Sequence, residues 1–193
     1  MSELMLDVGQ ANELKLAFRR ADFTNDDIKR LCEGSVLADV RSVLRGHASI
    51  AVIEHVIDCD AQPYLPDGWF VEEHQKGGQW KFDPKQVNFY LSKGQQGGKT
   101  IEGNKLRKEL AKKPVFNANV LDYLFANPHL IPEDWKKDEN GNTRYIFFWG
   151  TVYRSRGGYL FVRYLCWDGG AWYWGCWLDD DWDGFSPAAL RAS

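Results

Sequence analysis

Beyond Asn142 the chain contains no Lys, Glu, Gln, Asn, Met or His. Soluble surfaces normally use Lys and Glu freely, so their absence over residues 143–193 calls for an explanation. Other absences bound the function. No apolar run approaches the roughly 18 residues of a membrane span, so none is expected. The start, MSELMLDVGQANELKLAFRR, lacks a basic opening followed by an apolar stretch. No standard secretion signal is therefore expected; the cytoplasm is the expected compartment, with export by another route left open. The four cysteines, Cys32, Cys59, Cys166 and Cys176, form no CxxC pair. Free thiols in a reducing compartment are expected, a Cys166–Cys176 bridge being left open. The net charge of −3 excludes a chain-wide electrostatic affinity for nucleic acid or anionic membrane. His47, His55, His74 and His129 stand apart and none pairs with cysteine at zinc spacing. No Ser or Cys sits in a nucleophile motif. No catalytic residue, metal ligand or cofactor is assigned, and a binding protein is expected in preference to an enzyme.

What is present is aromatic. The chain has nine Trp, eight Tyr and eleven Phe within an apolar fraction of 44%, enough for a real core and for a rigid contact face. Residues 10–46 read as helical, with a capping box at Thr24 and Asp27 and a stop at Gly46. Residues 58–69 carry two prolines and a glycine and read as a linker. The expected division is a helical N-terminal region, 1–65, and a second domain, 66–193. In the second, 86–91 reads as a strand and 104–112 as a basic helix. Asn117 caps another helix, ended by Pro128. Residues 145–154 and 159–167 read as two strands joined by a turn at Ser155-Arg156-Gly157-Gly158. Helices ahead of an antiparallel sheet predict an α+β fold.

The segment 168–187 has a mixed pattern. Trp172, Trp174, Trp177 and Trp182 are large and rigid. Between them stand Ala171, Tyr173, Gly175, Cys176, Asp180, Asp181, Asp183, Gly184, Phe185 and Ser186, which share no chemical type. Strand alternation places Trp172 and Trp174 on one face and Ala171, Tyr173 and Gly175 on the other. An ordinary amphipathic strand would look alike. A fixed aromatic side opposite arbitrary residues is also what a binding surface needs, since rigid elements hold adaptable contacts.

Gly169-Gly170-Ala171-Trp172 resembles the GGxW motif of C-type-lectin folds of the formylglycine-generating-enzyme type. The tail from YIFFWGTVYR to the end resembles the variable proteins of diversity-generating retroelements. In that family a reverse transcriptase copies a template repeat with errors at adenines, and the copy replaces the 3′ end of the target gene. Template AAC codons become NNC, which never encodes Lys, Glu, Gln, Met or Trp. The interspersed residues above all fall in the permitted set, and the tryptophans would be fixed scaffold. The resemblance implies a C-type-lectin-like domain of two helices and a twisted antiparallel sheet, whose hypervariable surface at 168–187 binds a protein or other macromolecular ligand. Tyr173 and Phe185 would be the aromatic anchors, and the acidic residues would favour a basic partner.

Three other patterns carry chemical readings. Asp179, Asp181, Asp183 and Gly184 match the opening of an EF-hand loop, but the twelfth position is Leu190 and Pro187 stands where a helix should begin. Whether these aspartates hold a cation is left open. The run from Lys93 to Thr100 resembles a phosphate-binding loop with its first glycine misplaced by one, and a flexible Gly/Gln loop is expected instead. Lys99, Lys105, Arg107, Lys108, Lys112 and Lys113 make a basic face that could touch phosphates. This gives the alternative function, a nucleic-acid-associated accessory protein of a mobile element, although nucleic acid is the less expected partner.

Overall fold

The computed structural model describes residues 4–51, 53–178 and 181–192, excepting the side chains of Cys176 and Trp177. The chain forms two compact units, 1–53 and 54–193. The first holds helices α1 (Val8–Arg20), α2 (Asn25–Leu31) and α3 (Val36–Leu44). Each start is set locally. The Asp7 carboxylate accepts from Gln10 N at 2.8 Å while the Gln10 side chain accepts from Asp7 N. Thr24 and Asp27 form the expected reciprocal box. Gly46 N donates to Val43 O at 3.0 Å as α3 ends. No residue of these helices is buried.

The second unit carries β1 (Val56–Asp58), β2 (Trp69–His74), β3 (Gln79–Lys81), β4 (Val87–Tyr90) and β5 (Ile101–Glu102). Helices α4 (Gly103–Leu110) and α5 (Ala118–Ala126) come next. Then come β6 (Ile146–Phe147), β7 (Thr151–Ser155), β8 (Leu160–Asp168), β9 (Ala171–Leu178), β10 (Asp181–Trp182) and β11 (Ala188–Arg191). With five α-helices among the described residues and a largely antiparallel sheet, the fold is α+β.

β8 organises the sheet. Its pairing with β9 runs from Phe161–Leu178 to Asp168–Ala171. Gly169 and Gly170 make the turn with φ of 55° and 96°, left-handed values that suit glycine. The opposite edge is shared: β7 takes Leu160 and Phe161, and β6 takes Tyr164 and Leu165. β2 extends the sheet beyond β7, while β11 lies between β6 and β4. Two short antiparallel pairs, β1–β3 and β5–β10, complete the unit.

Two expectations are corrected here. Residues 145–154 do not form one strand. At Gly150 the backbone leaves the sheet: its N–H donates to Phe116 O at 2.9 Å and its carbonyl accepts from Gln75 N at 2.7 Å. That detour ties the entry to α5, where Asn117 caps the helix as expected. Residues 58–69 are also more than a linker. Cys59 is buried beside Ile57, and the Tyr153 hydroxyl donates to Tyr64 O at 3.0 Å.

Two adjoining apolar clusters fill the unit. One joins α5 to the sheet through Leu121, Leu124, Ile146, Leu165 and Trp172. The other joins α4 to it through Leu106, Leu110, Phe147, Leu178 and Trp182. The tail tryptophans thus enter both halves of the core.

Candidate functional site

The site grows from the register of β6, β8 and β9. Phe147 lies opposite Tyr164, and Tyr164 opposite Gly175, so the three positions share one face of the sheet. Gly175 matters because of its neighbour: a Cβ there would come within 2.4 Å of the Tyr164 ring. The absent side chain lets that ring lie flat across β9. Tyr164 packs against Phe147, with centroids 4.9 Å apart, and against Tyr145 at 5.4 Å. Phe147 meets Trp182 at 4.1 Å.

The tail then folds back over these rings. Tyr145 N donates to Phe185 O at 3.0 Å, and Phe147 N to Pro187 O at 2.9 Å. Between them the chain makes a tight turn. The Asp183 carboxylate accepts from Phe185 N at 2.9 Å and from the Ser186 hydroxyl at 3.3 Å. The result is a cavity of about 300 Å³. Tyr145, Phe147, Tyr164, Trp182 and Phe185 form its apolar wall, and Asp181, Asp183 and Ser186 its polar side. None of these lining residues carries a positive charge.

A buried network holds the turn from behind. The Gln95 amide, 2% exposed, donates to Asp183 O at 2.8 Å and to Ser186 O at 3.0 Å. Its carbonyl oxygen accepts from Ser92 N at 3.0 Å. Ser92 in turn donates through its hydroxyl to Glu109 at 2.8 Å, and Tyr90 also donates to Glu109. The Tyr90 bond foremost, with that of Ser92, holds the Glu109 carboxyl below the usual range despite desolvation. The same bond pushes the Tyr90 hydroxyl up to about 12. Gln95 is the residue that sequence reasoning missed. Residues 93–100 read as a flexible loop, yet residues 93–95 form a capped 3₁₀ turn.

The tail residues separate by burial. Trp172 is 8% and Trp182 3% exposed, and both belong to the core. Trp174 is half-buried, with the Arg163 guanidinium 4.2 Å from its ring centre. Arg163 is 1% exposed and pairs with Asp122 of α5 at 2.7 Å. Ala171, Tyr173, Asp181, Gly184 and Phe185 are exposed, and Gly175, Asp183 and Ser186 half-buried. Tyr173 lies opposite Cys166, on the same face as Tyr164 and one side-chain step further along. Asp181, Asp183, Phe185 and Ser186 meet at the cavity; Ala171 and Tyr173 stand on β9 outside its lining. The Cys176 and Trp177 backbones pair with Arg163 and Val162, and their side chains lie outside the described residues, as do Asp179 and Asp180.

The EF-hand reading loses ground. Asp181 sits in a strand, and the aspartates lead into β11, not into the helix of an EF-hand. Among the described residues no three metal-ligating side chains converge. In the basic segment, Arg107 pairs with Glu73, Lys105 with Glu102, and Lys113 lies over the Tyr90 ring. Cys32, Cys59 and Cys166 are free thiols, so the alternative of a Cys166–Cys176 bridge is not realised. Burial pushes the Cys59 thiol up to about 11. Among the described residues no helix is long and apolar enough to cross a membrane. No family model, curated protein or solved structure matches the chain.

Proposed function

We propose that this chain is a ligand-binding display protein: a C-type-lectin-like scaffold whose segment 168–187 is diversified by a retroelement and meets a macromolecular ligand. The observation that carries the reading is the interleaving of buried and exposed residues in the tail. Trp172 and Trp182 are in the core, while their neighbours Ala171, Tyr173 and Asp181 are exposed. Exposed positions between buried anchors accept replacement with little effect on folding, because surface changes usually move stability by no more than about 0.5 kcal/mol. A fold that must survive a changing surface needs this separation. Two helices, α4 and α5, set between strands of one mostly antiparallel sheet suit the lectin-like scaffold. The protein binds its ligand and does no chemistry on it.

The separation is uneven, and the reading accounts for that. Gly175 is confined by Tyr164, so larger residues there require the ring to swing away. Asp183 already serves its own turn. These two positions tune the shape of the surface; Ala171, Tyr173, Asp181 and Phe185 contact the ligand.

The test is genetic. The 3′ end of the gene is amplified from a growing population and sequenced deeply. The proposal expects codons of the form NNC at 171, 173, 181 and 185, changes confined to them and their like, and unchanged tryptophan codons. A near-copy with AAC at the same sites should lie beside a reverse-transcriptase gene. A uniform 3′ end with no such copy removes the retroelement from the reading.

A further inference from the structure

The cavity over β6, β8 and β9 has a shape that names a ligand chemistry. We infer that it receives a cationic side chain, lysine or arginine, presented by a protein partner; this rests on the display-protein reading above. The rings do not form a platform. Tyr145 and Tyr164 stand at 80° to each other, Phe147 and Trp182 at 65°, and Phe147 and Tyr164 at 52°. Phe147 and Trp182 are each 3% exposed and packed edge-to-face on one another, so the rings together make an apolar wall whose more open members are Tyr145 and Phe185. Such a wall suits the aliphatic stem of a lysine or arginine, whose charged head the neighbouring carboxylates then meet. A sugar ring prefers one flat face to stack on, with open polar partners around it. Here the Asp183 carboxylate already accepts from Phe185 N and from the Ser186 hydroxyl.

Charge points the same way. The polar side of the cavity carries two carboxylates, Asp181 and Asp183, and no cation. Asp181 pairs across β10–β5 with Glu102, which adds negative potential, offset in part by Lys105 at 3.4 Å from Glu102. An anionic ligand would meet this field unfavourably. Among the described residues no three metal-ligating side chains converge, which disfavours a hard metal ion as the occupant. About 300 Å³ suits one side chain and falls at the small end for a free cofactor. The exposed residues beside it, Tyr173 and Ala171 on β9, give a partner more surface to cover than the cavity alone offers.

The division of labour fits the proposed diversification. Tyr145, Phe147, Tyr164 and Trp182 supply a permanent aromatic wall. Asp181, Phe185 and Ser186 set what the cavity prefers, so cation preference belongs to this version of the tail.

The test uses the full chain and four defined probes, Nα-acetyl-lysine methylamide, Nα-acetyl-arginine methylamide, the neutral norleucine analogue and glucose. Each is titrated while the tryptophan indole N–H signals are followed by NMR. The cationic probes should shift the Trp182 signal, bind at least roughly tenfold more tightly than norleucine, and weaken with added salt. Asp181→Asn and Phe185→Ala should each weaken them several-fold, with thermal unfolding unchanged as the control on folding. Equal binding of norleucine, preferential binding of glucose, or no response to either cation at millimolar concentration overturns the inference. A diversified 3′ end together with a silent cavity would sink only this inference. Cation binding with a uniform 3′ end would leave the cavity chemistry standing and sink the retroelement reading.

Discussion

The C-terminal segment has two sides, and they differ in what the fold asks of them. On the inward side, Trp172 and Trp182 are buried in two different apolar clusters, and Trp174 is stacked on a buried arginine. On the outward side, Tyr173 and Phe185 remain 52% and 42% exposed although they are as aromatic as their neighbours. Composition alone does not separate them. What separates them is the register against β8 and the turn at residues 183–186, which decide which rings become core and which become surface. Structural need and chemical identity are thus uncoupled within one short stretch.

The comparison breaks first at its inward side. Trp182→Ala should cost about 3–5 kcal/mol, because a large side chain leaves a cavity among Phe147, Trp149 and Gly103 that the packed core refills only in part. Urea unfolding measures this; a loss below about 1 kcal/mol would mean that the indole is dispensable. Asp122→Ala comes next, at about 2 kcal/mol. It strands the Arg163 charge in the interior, and the cost is moderated because Asp122 itself keeps partial contact with water. Pairing it with Arg163→Met should recover most of the loss, since the charge and its need for a partner vanish together. A double variant no better than Asp122→Ala would show instead that Arg163 acts chiefly through its contact with Trp174.

Gln95→Ala should cost about 1–2 kcal/mol, by leaving the Asp183 and Ser186 carbonyls without their buried donor. It should also loosen the turn that closes the cavity, which hydrogen exchange at Phe185 N would report as faster opening. The same residue marks the limit of what the sequence discloses. The helices, their caps at Thr24 and Asn117, and the turn at Ser155-Arg156-Gly157-Gly158 were legible because each is decided by residues within a few positions. The burial of Trp172 and exposure of Tyr173 came from alternation alone. Gln95 was not legible, since its two acceptors lie 88 and 91 residues away. Strand β2 escaped notice because it is mostly exposed, shows no apolar alternation, and finds its partner only in β7. The cavity escaped for the same reason: Tyr145, Phe147 and Tyr164 read as plain strand aromatics until the tail is laid across them.

The smallest effect is the sharpest test of the outward side. Tyr173→Ala and Phe185→Ala, alone or together, should move stability by no more than about 0.5 kcal/mol each, the range for surface changes. Neither ring belongs to the buried core. Tyr173 has its backbone fixed by pairing with Cys166, and Phe185 by the bond from its N–H to Asp183, so both conformations survive loss of the ring. The two sites should add, because their side chains meet no common lining group. Chemical denaturation of the single and double variants checks both statements. A double variant that loses several kcal/mol would place these rings with Trp182 after all, and the two sides of the tail would no longer differ in kind.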